Sequence, residues 1–368
     1  MFKNLRNNYY FGKAGKADFT VDDLPATRLQ LFKDTLRTRL GSLTRVNLLY
    51  ALVFIPILVV IVIFMGRIIE AQNYVDNEKG VNNWGQVLAV SGSELGEQLE
   101  EYTKKAAIHV TSEDFRKFSD GQILLMLAWL IPCIAVTGPF TAGVSYLTRN
   151  WSRDEHAFAW TDFKDAFKDN WKQALPVSII TGLVPFLVYL GIITYRDPTA
   201  INSIIPLPSF VCVVAEAIVI IAGIMWALAV TYMYPLMVTY ELKFKDLMRN
   251  AFILAVARLP FSVGVRLLHC VPVAIALLVM ALFPSAEFYA LLFLIVWYAL
   301  LGLMLSRFVT ASYCNAVFDR FINPRIAGAK VNQGLHKEED DPEEENGAEN
   351  GSKEEPQDGQ ETGKRVEE

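Results

Sequence analysis

The chain has 368 residues, of which 53% are hydrophobic and 20% charged, and its mean hydropathy is +0.29. That average is too apolar for an ordinary soluble enzyme, and no basic, aromatic-rich face survives outside the apolar runs, which excludes a nucleic-acid-binding domain. Charge is unevenly spread: residues 331–368 carry 14 Asp and Glu against 4 Lys and Arg, a net of -10 in a chain whose total is -5, so the rest stands at +5. A basic, apolar body therefore carries an acidic tail.

Taken in order, residues 1–45 form a polar N-terminal segment with nine Lys and Arg, and within it Leu29, Phe32, Leu36, Leu40 and Leu43 recur at helical spacing. The first apolar run follows this segment and lacks a small-residue cleavage pattern, so it reads as a retained span and not as a removable signal. A hydrocarbon core roughly 30 Å thick needs about 20 apolar residues of helix. Windows of that length fall at Asn47–Met65, Ile123–Leu147, Ala174–Tyr195, Ser209–Val238, Phe261–Leu282 and Phe288–Leu305. Continuous runs of this length satisfy their backbone groups as helices, whereas barrel strands would alternate with period two. The expected fold is all-α, a six-span membrane domain over residues 46–325, in contact with the lipid bilayer.

Positive charge orients such a chain. The segments before span one, between spans two and three, and between spans four and five hold 18 Lys and Arg, while the three opposite loops hold 7. Both termini are expected on the cytoplasmic side. Residues 66–122 then form the one sizeable external loop, with an amphipathic helix expected over 93–110. Residues 326–368 form a disordered cytoplasmic tail, too poor in apolar residues to order itself.

The tripeptide Phe-Lys-Asp begins at Phe32, at Phe163 and at Phe244, each time on the basic side and ahead of an odd-numbered span. Each copy lies in a stretch with helical apolar spacing, which suggests interfacial helices and three repeated units of interfacial helix plus two spans. Parallel repeats of this sort build transport paths in other proteins.

Three ionisable residues fall inside spans, Glu216, Arg266 and His269, and such residues mark functional sites because each costs roughly 2.5 to 3.5 kcal/mol to insert. Spans four and five adjoin, so Glu216 pairing with Arg266 or His269 is a geometric possibility that could bind a polar solute or relay a proton; snorkelling of Arg266 is the plainer alternative. In span two, Gly138 and Pro139 loosen the helix, and Ala142 with Gly143 permits close helix approach, so these four are a hinge or a packing notch. Pro56, Pro132, Pro185, Pro235 and Pro272 read as kinks. Trp151, Trp160 and Trp171 suit an interfacial aromatic belt, and Thr161 suits a helix cap. Cys133, Cys212, Cys270 and Cys314 read as small buried hydrophobes, and Arg153 to His156 as a solvated charge cluster.

The segment GPFTAGVSYLTRNWSRDEHAFAWTDFKDAFKDNWKQAL, through Gly138, Pro139, Ala142, Gly143, Arg149, Phe163, Phe167, Asn170, Trp171 and Gln173, resembles the central signature of the YesL-like family of bacterial integral membrane proteins. The resemblance implies a helical protein of the cell membrane without an established activity, whose relatives are often met near carbohydrate-uptake and polysaccharide-degradation systems. There is no HExxH, phosphate-binding glycine loop or GxSxG, and the four histidines have no metal spacing. No enzyme, cofactor or metal is therefore expected. The functional expectation is an accessory or regulatory component of solute uptake, in contact with a membrane transport complex; the alternative is a transporter using Glu216, Arg266 and His269.

Overall fold

The computed structural model describes residues 24–79, 112–196 and 208–335. The helix expected over 93–110 and the acidic tail beyond Leu335 lie outside these residues. The described chain is helical, in the order α1 (Arg28–Leu52), α2 (Ile55–Lys79), α3 (Ser112–Trp151), α4 (Ala159–Arg196), α5 (Ser209–Thr239), α6 (Phe244–Ala257), α7 (Leu259–Leu282), α8 (Glu287–Trp297) and α9 (Leu303–Phe321). A five-residue π-helical turn, Tyr298–Gly302, joins α8 to α9. Six of the helical stretches are long and apolar enough to cross a membrane: Ile55–Gln72, Phe115–Trp151, Ala159–Arg196, Ser209–Thr239, Leu259–Leu282 and Glu287–Arg325.

Span one begins later than its apolar run. Pro56 has no N–H and its ring would meet the carbonyl four residues back, so α1 stops at Leu52. The amides of Val53 and Phe54 tighten onto the carbonyls of Tyr50 and Ala51 before α2 resumes. Asn47 to Leu52 thus end α1, which packs against the π turn and α9. Its buried face is Leu31, Thr35, Leu43, Asn47 and Tyr50. Likewise Pro260 sits at the start of α7, and Arg258 takes a non-helical conformation (φ -119°, ψ 32°) that separates α6 from α7.

The three Phe-Lys-Asp copies share one disposition: the Phe is half-buried, the Lys and Asp are exposed, and the next residue (Thr35, Ala166, Leu247) is buried. They differ in how each helix continues. The first and third helices break before their spans, whereas the second runs without interruption through α4.

α3 and α4 form the longest pairing, and small residues make it possible. A methyl group on Gly138 would meet the Ala174 carbonyl oxygen at 2.6 Å and the Ser178 Cβ at 2.7 Å, and one on Gly143 would meet the Phe163 ring at 2.7 Å. Pro139 cannot donate to the Ala135 carbonyl, and the Ser178 hydroxyl donates to it instead, at 2.8 Å. Ala142 is fully buried. Gly138, Pro139, Ala142 and Gly143 are thus a helix-packing notch filled by α4, with the Ala174, Ser178, Gly182 face as its counterpart. Gly138→Ala should destabilise the protein by about 1 to 3 kcal/mol through overpacking. Gly264→Ala, where a methyl group meets nothing within 4 Å, should be neutral or slightly stabilising; thermal unfolding in one detergent compares them, and equal behaviour would refute the notch.

Burial is concentrated at the end of the bundle where the Phe-Lys-Asp segments lie, the basic end. Leu147 and Trp151 of α3, Tyr232, Met233 and Leu236 of α5, Leu247 of α6, and Phe308 and Phe318 of α9 are fully enclosed there. Toward the far end Val62 of α2, Phe210 and Ile218 of α5, Leu278 of α7 and Phe288 of α8 are exposed. Apolar surface of that extent faces lipid.

Several local expectations change. Trp151 is buried core, while Trp160 and Trp171 remain exposed at the basic end. Asp162, not Thr161, caps α4, accepting from the Phe158 amide at 2.9 Å. Arg153 is buried, not solvated: Glu155 bridges it (3.1 Å) and Arg149 (3.4 Å). Cys212 and Cys314 are buried, but Cys270 is exposed on the lipid-facing side. Residues 326–335 belong with the body, since Asn332 reaches both Arg28 and Asp319.

Candidate functional site

Glu216 lies two turns into α5 at the far end, where its carboxylate accepts from the Arg196 guanidinium at 2.9 Å. It is therefore not the partner of Arg266 or His269, as the order of the spans had suggested. The pair therefore joins the end of α4 to the first turns of α5 and has no part in a site near the basic end.

Arg266 and His269, one turn apart on α7, do belong together, and a third basic residue joins them. Arg307 of α9 stands within electrostatic range of both. The apolar run of the sixth span ends at Leu305, short of Arg307, but the helix runs on to Phe321. The repeated spacing, Arg266 with His269 and Arg307 with Thr310, was the signal that could have found it.

Each member is held by a neighbouring helix. The Arg266 guanidinium donates to the Ala227 carbonyl of α5 at 2.5 Å, while its Nε is enclosed without an acceptor. The Arg307 guanidinium lies 5.7 Å from the centroid of the Tyr234 ring, a cation–π placement. The His269 Nε2 is 3.5 Å from the Thr310 hydroxyl, which itself donates to the Ser306 carbonyl at 2.8 Å. No carboxylate pairs with Arg266 or Arg307 among the described residues. At 1.5 Å per residue, Arg266 lies about 10 Å along α7 from its start, so two guanidinium groups and an imidazole share a partly desolvated place inside the span.

Below this cluster a polar seam continues to the basic end. The hydroxyls of Tyr232, Ser262 and Tyr313 form one hydrogen-bonded set (2.7 and 2.8 Å). The Asn315 amide donates to the Ser152 hydroxyl at 2.5 Å and to the Arg149 carbonyl at 3.2 Å. The Asp319 carboxylate receives Arg28, Asn323 (2.5 Å) and the Asn332 amide (3.2 Å). Tyr240 donates to Asn323 at 2.6 Å; burial, and after it the Asp319 charge, pushes its phenol up to about 12, so it stays protonated as the donor.

Near the seam's end a cavity of about 730 Å³ opens between α4 and the α5–α6 link, with Asp162, Asp165, Asp169 and Glu241 on its walls. Asn170 and Gln173 also line it, but their amides are already used: Asn170 donates to Ala166 and Gln173 to the Leu242 carbonyl at 2.7 Å. No group of three His, Cys, Asp or Glu side chains suited to a metal ion occurs among the described residues.

Six spans, lipid-facing apolar surface and a polar seam buried at one end define a multi-pass helical membrane protein. Residues 122–192, most of the α3–α4 hairpin including the Gly138 notch, match a family model described as a protein of unknown function, DUF624. No curated protein and no solved structure matches the chain.

Proposed function

We propose that this protein is a non-enzymatic accessory or regulatory component of solute uptake in the bacterial cell membrane, with both termini cytoplasmic, and that it binds an anionic solute at Arg266, His269 and Arg307. The observation that carries the reading is the pair of guanidinium groups gathered inside the spans with no carboxylate among the described residues to balance them. Like charges in a low dielectric repel, and a bound carboxylate or phosphate would offset that cost and give the Arg266 Nε its missing acceptor. The 18 to 7 distribution of Lys and Arg supports the orientation. The YesL-like resemblance supports an association with carbohydrate uptake.

Glu216 has no part in this site, because Arg196 engages it. A transporter reading would rest on Arg266, His269 and Arg307 alone.

Glucuronate and glucose 6-phosphate are suitable probes, with glucose as the uncharged control. The purified protein is expected to bind an anionic probe and not glucose, and Arg266→Gln or Arg307→Gln should each weaken binding about tenfold or more, the worth of one charged hydrogen bond. Glu216→Gln should leave it unchanged. Equal binding of glucose, or no binding of either anion, would overturn the site. In proteoliposomes, probe uptake by the protein alone would replace the accessory role with transport.

A further inference from the structure

A second basic site lies where α6 meets α7, apart from the cluster described above. A cavity of about 380 Å³ there is lined by Asn250, Leu254, Arg258, Phe321, Ile322 and Arg325 among others, and no carboxylate contributes to its wall. We propose that this cavity binds the headgroup of an anionic phospholipid, with Arg258 and Arg325 as its phosphate ligands.

The chain break creates the site. Because Pro260 starts α7 afresh, Arg258 stands at the corner between two helices instead of along the face of one. Its guanidinium lies 4.2 Å from the centroid of the Phe261 ring and 5.7 Å from that of Phe321. Stacking of this kind holds the guanidinium plane while leaving its N–H edge free to donate. The Arg258 Nε is enclosed and has no acceptor. Arg325, exposed in the turn after α9, supplies a second planar fork to the same cavity.

The surroundings select a lipid over a free anion. Ile253, Val256, Leu259 and Phe261 are exposed around the cavity, and Leu259 is the first residue of a membrane span. A phosphate seated on the two arginines would therefore have its acyl chains against apolar side chains, in the layer where headgroups lie. Basic pockets between helix ends at the membrane surface are a recognised mode of anionic-lipid binding. Inorganic phosphate would gain the charge contacts and nothing from the apolar rim.

The test measures binding of phosphatidylglycerol, phosphatidylcholine and inorganic phosphate to the full chain in detergent. Phosphatidylglycerol should bind more tightly than phosphatidylcholine. The double variant Arg258→Gln, Arg325→Gln should lower phosphatidylglycerol affinity about tenfold or more and leave phosphatidylcholine unchanged. Arg320→Gln is the matched control, because Arg320 stacks on Phe321 without lining the cavity; it should change little. Equal binding of the two lipids overturns the proposal, as does an equal loss in Arg320→Gln, or displacement of phosphatidylglycerol by millimolar inorganic phosphate. Should the double variant not fold, a photoactivatable phosphatidylglycerol on the unaltered protein decides. Crosslinks within 250–258 and 321–326 support the site, and crosslinks elsewhere overturn it.

Discussion

Asp319→Ala is expected to cost about 3 kcal/mol, the low end of what breaking a buried ion pair costs. The carboxylate is nearly enclosed and joins four parts of the chain: Arg28 at the start of α1, Asn323 just past α9, the Asn332 amide in the following segment and, through Asn323, Tyr240 at the end of α5. Alanine leaves the Arg28 guanidinium, Asn323 and the Asn332 N–H each short of an acceptor. Water reaches part of Arg28, whose side chain is 23% exposed, and this holds the loss to the lower end of the range. Because the penalty comes from the stranded partner as well as the lost attraction, Arg28→Met combined with Asp319→Leu should recover much of the stability. Reversible denaturation in mixed micelles measures both, and a loss under about 1 kcal/mol for Asp319→Ala would show that the carboxylate does not hold the basic end together.

The second large effect is expected at Asn47. The Asn47 side chain meets the π turn between α8 and α9: its amide donates to the carbonyls of Tyr298 (2.9 Å) and Ala299 (2.6 Å), and its carbonyl accepts from the Met304 amide at 2.8 Å. A π turn shifts the hydrogen-bond ladder and leaves backbone groups without ordinary partners. One fully buried asparagine answers three of them. Asn47→Leu keeps the volume and removes every bond, so it should cost about 2 to 3 kcal/mol from unsatisfied buried backbone groups. It should also speed hydrogen exchange at Met304 over that at Phe318, which lies on the same helix beyond the turn. Unchanged stability together with unchanged exchange would refute the clasp. Arg307 follows the π turn by five residues, so the same substitution should also weaken the anion binding proposed for Arg266, His269 and Arg307.

Much of the α3–α4 hairpin was legible beforehand. Gly138, Pro139, Ala142 and Gly143 announced a close helix contact because small residues and a missing N–H are local facts. The hydroxyl that repairs the Pro139 gap, Ser178 in α4, was not legible, since 39 positions separate the two residues in the chain. The ionisable residues divide in the same way. Their place within spans was evident from hydropathy alone, but Glu216 had two possible basic neighbours in sequence and found a third, Arg196, at the end of α4.

The amino-acid sequence by itself determined that the chain is all-α, that six stretches are apolar for the length of a bilayer, and that basic residues gather at one end. Each of these depends on nearest neighbours and on a length threshold, which a linear reading measures directly. Tertiary structure alone decided that Asn47 closes a π turn some 250 residues away, that Arg307 joins Arg266 and His269, and that Arg258 turns a helix break into a cavity. Those outcomes depend on the rotation of each helix about its axis and on its register against its neighbours. Both are set by side-chain packing between distant segments.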